Sequence, residues 1–170
     1  MTTFDFRLLE EIKRGAALRV TCVLATQPFT VMSVRAMAQF VGRESKYNGI
    51  FSSIAEIFHE NGILGFWQGW IPRAIGEVSL VALTSTLTYI INRYILSEKD
   101  VQMYTGHISG FIASSIVYPF NVVSSCMVVS RSGLAAGYPP NMPFYQSWVD
   151  CYRHLSSQKQ LKRGSSLIFR

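Results

Sequence analysis

Charge is the scarcest property of this 170-residue chain. Asp, Glu, Lys and Arg make up 15% of the residues and hydrophobic residues make up 49%, whereas soluble domains carry roughly 25% charged residues. Between positions 101 and 130 there is no charged residue at all. This balance excludes an ordinary soluble domain and predicts a protein that lies in a lipid bilayer.

Features of nucleic-acid-binding and targeting segments are also missing. The formal net charge is +6, but the basic residues are scattered or gathered at the ends of segments, with no stripe interleaved with aromatics, so we expect no nucleic-acid partner. Two interpretations of the charge stay open, namely attraction to anionic lipid head groups and solvated helix ends. Asp5, Glu10 and Glu11 exclude an acid-poor transit peptide or a secretory signal at the N-terminus.

Catalytic and metal-binding motifs are absent from the sequence. Cys22, Cys126 and Cys151 have no metal-ligand spacing, and no disulfide is implied. His59 and His107 have no nearby Cys or His at ligand spacing. There is no phosphate-binding Gly loop, no H-E-x-x-H and no G-x-S-x-G. We therefore expect no enzyme, no metal and no cofactor.

Three stretches are long and apolar enough to span a bilayer, which needs roughly twenty helical residues. They cover residues 15–41, 70 to about 96, and 101–130. Arg19 and Arg35 interrupt the first stretch, so hydropathy alone identifies it poorly. The third contains Gly106-x-x-x-Gly110, a small-residue face whose simplest role is to relieve crowding in one helix bundle.

An internal repeat supports all three spans. Gln27-Pro28-Phe29 returns about 90 residues later as Tyr118-Pro119-Phe120, and a glycine turn follows each copy, at 65–69 and at 160–164. Between these landmarks, apolar residues recur at helical spacing, which predicts amphipathic interfacial helices. They are Ile50, Phe51, Ile54, Ile57 and Phe58 in one copy, and Tyr145, Trp148, Val149 and Tyr152 in the other.

The order of motifs resembles the mitochondrial carrier repeat. It runs Pro28-x-x-x-x-x-x-Arg35, Tyr47-x-Gly49, Glu60-x-Gly62, Gly65-Phe66-Trp67-Gln68-Gly69 and Pro72-Arg73. The strings at 42–47, 133–137 and 147–151 are similar to the mitochondrial carrier homologue family, the outer-membrane members of that superfamily. The resemblance implies structural roles for Pro28, Gly49, Gly65, Gly69, Pro72, Pro119 and Gly164.

This resemblance also implies the fold and its division. We expect an all-α transmembrane fold of degenerate carrier repeats, with three spanning helices and amphipathic interfacial helices, matching the family's second repeat and the first half of its third. Residues 1–170 then form one membrane domain, in which 1–99 is a complete repeat and 100–170 a partial repeat without its last span. The family's first repeat is missing, so a shortened paralogue, an isoform and a truncated form all stay open.

Carriers place an acid two residues after the repeat proline and a base five residues after it, and the resulting ion pairs close one side of the cavity. Here those positions hold Thr30, Ser33, Asn121 and Ser124. Short neutral side chains do not form the desolvated ion pairs that hold two states apart. Three spans enclose no carrier cavity, so we expect either a groove open on one side or pairing with a second copy.

Polar side chains at membrane depth are the candidates for lining such a groove, since a charge at mid-bilayer costs roughly 2.5–3.5 kcal/mol. We expect Glu77 to pair with Arg73 one turn away on the same helix. In a second interpretation, Arg73 extends to the head groups and the pair is structural. Similarly, Asn121 and the serines near it either line the groove or bond to helix carbonyls freed by Pro119. The predicted groove residues are Glu77, Arg73, Arg35, Arg19, Thr30, Ser33, Tyr118, Asn121, Ser124 and Ser125.

The family resemblance implies a multi-pass protein of the mitochondrial outer membrane that inserts tail-anchored and single-span α-helical proteins, with phospholipid scrambling as a companion activity. Its implied partners are membrane lipids and tail-anchored client proteins. An alternative is a membrane receptor or scaffold for a pro-apoptotic BH3 protein. A solute carrier is the third hypothesis, which the missing gate charges disfavour.

Overall fold

The computed structural model describes residues 3–47, 49–94, 99–162 and 164. Within these ranges the chain is helical and contains no β-strand, which confirms the all-α prediction. The α-helices are α1 (Thr3–Gly42), α2 (Ile50–Asn61), α3 (Trp70–Tyr94), α4 (Lys99–Val129) and α5 (Trp148–Ser157), and two short 3-10 helices cover Ile63–Trp67 and Ala135–Gly137.

Three segments of the described chain are long and apolar enough to cross a membrane: Leu9–Gly42, Ile63–Tyr94 and Tyr104–Val129. The prediction of three spanning helices is thus confirmed. The first helix begins well before the predicted residue 15, and the predicted end of the second span near residue 96 lies outside the described residues.

Both repeat prolines lie inside spanning helices rather than at their ends. α1 continues past Pro28 to Gly42, and α4 continues past Pro119 to Val129. A proline removes one backbone hydrogen bond, and spanning helices tolerate this loss where neighbouring helices and hydroxyl side chains satisfy the freed groups.

α3 packs between α1 and α4 and runs antiparallel to both. A Cβ added at Gly15 of α1 would lie 3.0 Å from Val81 of α3, and one added at Gly76 of α3 would lie 3.2 Å from the Cβ of Phe120 in α4. α1 and α4 make fewer direct contacts, and they are joined where the Nε of Arg35 donates to the carbonyl oxygen of Val128 at 3.2 Å. The three spanning helices therefore form a layer, with α3 in the middle.

The amphipathic helix α2 turns apolar side chains away from the protein. Ile50, Phe51 and Phe58 are 71%, 88% and 56% exposed, whereas Ser53 and Ile57 are buried. Such a surface is stable only against lipid or another apolar partner, as expected for an interfacial helix.

α5 differs from the predicted pattern at its start. Ser147 caps its N-terminus, because the Ser147 hydroxyl accepts a hydrogen bond from the backbone N–H of Val149. Tyr145, predicted as part of the amphipathic helix, therefore precedes α5 and is buried beneath it, while Cys151 and Leu155 form the buried side of the helix.

Candidate functional site

Four polar side chains of α1 fall on one face. Arg19, Thr26, Thr30 and Ser33 follow i, i+7, i+11, i+14 spacing, which keeps them on one side of a helix with 3.6 residues per turn. None of them is buried. Thr26 and Thr30 also donate their hydroxyls to the carbonyl oxygens four residues earlier, at 2.8 and 3.1 Å.

α4 carries a matching polar face, and α3 supplies charges between the two. Ser114, Tyr118, Asn121 and Ser125 follow i, i+4, i+7, i+11 spacing on α4, and none is buried. On α3, Arg73 and Glu77 lie one turn apart, and both are partly exposed. We call this surface the polar groove, defined by Arg19, Thr26, Thr30, Ser33, Arg73, Glu77, Ser114, Tyr118, Asn121 and Ser125.

Two sets of hydrogen bonds connect α1 to α3 in the polar groove. Arg19 Nη1 lies 3.1 Å from Glu77 Oε2, with the two side chains 54% and 23% exposed. Arg73 Nη1 donates to Gln27 Oε1 at 3.0 Å and to Thr30 Oγ1 at 2.6 Å. The predicted pair between Glu77 and Arg73 is therefore wrong, because each long side chain reaches a partner on α1 rather than its neighbour on α3.

On the α4 side, Asn121 approaches α3 closely. A Cβ added at Gly76 would lie 3.9 Å from Asn121 Oδ1, so the amide stands beside the turn that carries the two α3 charges. Ser125 donates to the carbonyl oxygen of Asn121 at 3.0 Å. Ser125 therefore bonds back to its own helix, but to a carbonyl other than the one that Pro119 frees, so neither interpretation is decided by this bond. The Tyr118 hydroxyl lies beside Gly164, 3.1 Å from where a Cβ of that glycine would stand.

Arg35 is not part of the polar groove, which corrects its predicted position. Its side chain has no exposed surface. Its guanidinium donates to the Val128 carbonyl, the Tyr47 hydroxyl and Glu60 Oε2, each at 3.2 Å, and to Gln68 Oε1 at 2.7 Å. A buried charge needs this degree of pairing. Arg35 therefore holds α1, α2 and α4 together.

Ser124 is also buried rather than groove-lining. Its hydroxyl donates to the carbonyl oxygen of Gly69 at 2.8 Å, which ties α4 to the turn before α3. Gly69 has φ 73°, and a Cβ there would lie 2.7 Å from the Ser124 carbonyl oxygen. Only glycine combines that backbone conformation with so close an approach.

Glu60 is the centre of the polar cluster around Arg35. It accepts hydrogen bonds from the Tyr47 hydroxyl at 2.7 Å and from Lys46. Burial, followed by the hydrogen bond to Glu60, raises the pKa of the Tyr47 hydroxyl. Burial lowers the pKa of Lys46, but its bonds to the carboxylates of Glu60 and Glu56 outweigh that effect and raise its pKa above the usual value. Lys46, Tyr47 and Glu60 lie outside the spanning segments, whereas Arg35 lies near the end of the first one.

The remaining motif positions lie at the ends and turns of helices. Gly49 caps α2, Gly65 lies in the 3-10 helix that follows it, and Pro72 is buried in the first turn of α3. Sequence reasoning missed Gln27, Thr26 and Ser114 as residues at the groove. The available signal was helical spacing: Thr26 and Ser114 each lie four residues before a polar residue that was identified.

The charges of the polar groove do not cancel. Arg19 and Glu77 form an ion pair, whereas Arg73 contacts the neutral oxygens of Gln27 and Thr30 and forms no ion pair within the described part of the chain. Glu77 lies seven residues inside α3, about 10 Å from its first residue. The groove thus places an excess positive charge and several hydroxyls at membrane depth. Among the described residues, no group of His, Cys, Asp and Glu side chains is arranged to hold a metal ion.

Comparison with known proteins identifies the family of the chain. Residues 5–99 match the model of the family described as mitochondrial carrier protein. The chain belongs to the mitochondrial carrier family. The mitochondrial carrier family member "Mitochondrial carrier homolog 2" of Bos taurus is 42% identical over 99% of the chain and 57% of its own length. "Mitochondrial carrier homolog 1" of Mus musculus is 38% identical over 100% of the chain and 49% of its own length.

A more distant member of the mitochondrial carrier family also matches. "Mitochondrial substrate carrier family protein W" of Dictyostelium discoideum is 33% identical over 78% of the chain and 41% of its own length. The chain thus spans about half the length of the curated relatives it matches. The resemblance to mitochondrial carrier homologues is confirmed, and with its three spanning helices the chain is a mitochondrial membrane protein.

Proposed function

We propose that this protein is an insertase of the mitochondrial outer membrane for tail-anchored and single-span α-helical proteins. The observation that supports it is the polar groove, whose residues on three neighbouring spanning helices remain accessible. A client helix enters lipid readily, but the polar segment beyond it must cross the hydrocarbon core, where polar groups are costly. Polar side chains along the path replace water as partners for that segment and lower the barrier.

The charges of the groove suit this role. Arg73 is held by neutral oxygens at 3.0 and 2.6 Å, so its charge is available to a carboxylate or to the C-terminus of a client. The Arg19 and Glu77 pair is partly exposed, and exposed ion pairs contribute only about 0–1 kcal/mol. A polar segment that passes offers replacement partners to both side chains, so the pair exchanges partners without leaving either charge alone in lipid.

The same groove suits phospholipid head groups. A head group carries a phosphate and other polar groups on two apolar chains, so it meets the same barrier as a client's polar flank. Lipid scrambling is accordingly a companion activity of the same surface, and substitutions in the groove lower both activities together.

A gated solute carrier fits the groove less well. Thr30, Ser33 and Asn121 occupy gate positions with short neutral side chains, and Thr30 accepts a hydrogen bond from Arg73 instead of forming an interhelical ion pair. Without those pairs, the energetic difference between a closed and an open cavity is lost.

The test uses the purified full chain in liposomes with a tail-anchored client whose C-terminus becomes protected from protease on insertion. We expect faster insertion than into empty liposomes. Two threonines of α1 give a matched pair, because each donates its hydroxyl to the carbonyl four residues earlier, Thr26 at 2.8 Å and Thr21 at 3.0 Å. Thr26 shares a face with Arg19, whereas Thr21, two residues from Arg19, lies about 200° away.

Thr26→Val lowers the insertion rate in this account, several-fold when Asn121→Leu is added, while Thr21→Val leaves it unchanged. Insertion no faster than into empty liposomes contradicts the proposal, as does an equal loss in both threonine variants. Client binding without insertion by the unsubstituted chain indicates a docking platform instead.

A further inference from the structure

Two cysteines that are distant in sequence lie together at the end of α4. Cys126, in the last turn of α4, and Cys151, in α5, belong to one packed cluster with Val123, Tyr145 and Leu155. Both thiols are free. The remaining cysteine, Cys22, is exposed on α1.

Comparing the two copies of the repeat shows which interaction the thiol pair replaces. Arg35 and Cys126 occupy the same position relative to the repeat proline. In the complete repeat, residues 1–99, Arg35 pairs with Glu60 at 3.2 Å and so ties the spanning helix α1 to the amphipathic helix α2. In the second repeat, Cys126 and Cys151 belong to the cluster that packs α4 against α5. A permanent charged connection in one repeat corresponds to two thiols in the other.

We propose that Cys126 and Cys151 form a reversible disulfide, with hydrogen peroxide as the oxidant, and that this bond locks α5 onto α4. Cys126 is partly accessible whereas Cys151 is fully buried, so Cys126 reacts first. Its thiolate attacks a peroxide oxygen, an S–O bond forms, the O–O bond breaks, and the released hydroxide takes up a proton as water. The sulfur of Cys151 then attacks the Cys126 sulfur, the S–S bond forms, the S–O bond breaks, and a second water leaves.

This reaction balances without a further reagent. Two thiols lose two protons and two electrons, and these reduce one peroxide to two waters. The hydrogen bond to Cys126, followed by burial, raises the pKa of the Cys151 thiol. Cys151 is therefore less readily ionised than an ordinary thiol, so the peroxide reacts first with Cys126.

The disulfide restrains the segment between α4 and α5. That segment carries Gln146 and Ser147, which with Trp148, Trp67 and Trp70 line a cleft of about 300 Å³. All three tryptophans of the chain lie at this cleft. Oxidation thus fixes one wall of the cleft, and reduction releases it.

The test treats the full chain in detergent with hydrogen peroxide, blocks remaining thiols with N-ethylmaleimide, and digests it without reduction for mass spectrometry. We expect one peptide pair joined through Cys126 and Cys151, two hydrogens lighter than the reduced peptides and lost after dithiothreitol. Cys22→Ser leaves the pair intact, whereas Cys126→Ser and Cys151→Ser each abolish it.

A second readout uses only the unsubstituted chain, so it does not depend on the folding of a variant. Trypsin cleavage after Arg153 and Lys159, both exposed, becomes several-fold slower on oxidation and recovers on reduction. The proposal is overturned if Cys126 accumulates as sulfinic acid with Cys151 still a thiol. It is equally overturned if the joined peptides link Cys22 of two chains, or if cleavage rates do not change.

Discussion

Glu60→Gln tests the polar cluster of Arg35, Tyr47 and Glu60, which joins α1, α2 and α4. Arg35 has no exposed side-chain surface and Glu60 is only 13% exposed. Removing one partner of a buried ion pair costs about 3–5 kcal/mol, because the remaining charge is left uncompensated. Glutamine keeps an oxygen that accepts hydrogen bonds, so we expect the lower end, about 3 kcal/mol. For a chain of this size, that lowers the melting temperature by about 6–12 °C.

The matched control is Glu56→Gln. Glu56 lies on the same helix and contacts Lys46 at 3.3 Å, but the two side chains are 35% and 30% exposed. An exposed pair contributes about 0–1 kcal/mol. Both variants remove one negative charge from α2, so the difference between them isolates burial from net charge.

The assay is thermal unfolding of the full chain in a mild detergent, followed by tryptophan fluorescence and by circular dichroism. Trp67 immediately precedes Gln68, which bonds Arg35 at 2.7 Å, so the fluorescence responds to this region. Equal melting temperatures for Glu60→Gln and Glu56→Gln would refute the reasoning. A second check is the double variant Arg35→Met with Glu60→Gln, whose loss we expect to fall short of the sum of the single losses.

Further predictions concern a turn and alkaline pH. Gly69→Ala destabilises more than Gly62→Ala in thermal unfolding, because both glycines have positive φ but only Gly69 meets a neighbour at 2.7 Å, whereas nothing lies within 4 Å at Gly62; equal losses would contradict this. Burial raises the pKa of Tyr145 to about 12, so the folded chain holds that proton more tightly than the unfolded chain. Stability then falls as the pH rises from about 10 to about 12, and Tyr145→Phe makes the melting temperature depend less on pH in that range; an unchanged slope would contradict this.

The sequence predicted the features that depend on periodicity and composition. Long apolar runs with a repeated proline predicted three spanning helices, because each run must bury its backbone in helical hydrogen bonds. Thr30, Ser33, Asn121 and Ser125, which were predicted to line a groove, lie at an accessible surface of the spans. Spacing alone carries such information, since it specifies the face of a helix.

The sequence did not predict which side chains pair across helices. Glu77 was expected to meet Arg73, yet its partner is Arg19 on another helix. Arg35 and Ser124 resemble groove residues in sequence, but they are buried by contacts with segments 25 and 55 residues away. The Cys126 and Cys151 contact likewise depends on how α5 docks. These outcomes follow from tertiary packing, which a local pattern does not specify.

The most direct test of the account is photocrosslinking from two positions of α4 during insertion. Asn121 belongs to the polar groove, whereas Ile112, nine residues earlier, lies about 180° away on the helix and is 43% exposed. A benzoylphenylalanine placed at each position in the full chain, in liposomes, is irradiated while a tail-anchored client inserts. We predict crosslinks to the client from position 121 and not from position 112; equal crosslinking from both positions, or crosslinking from 112 alone, would contradict insertion through the polar groove.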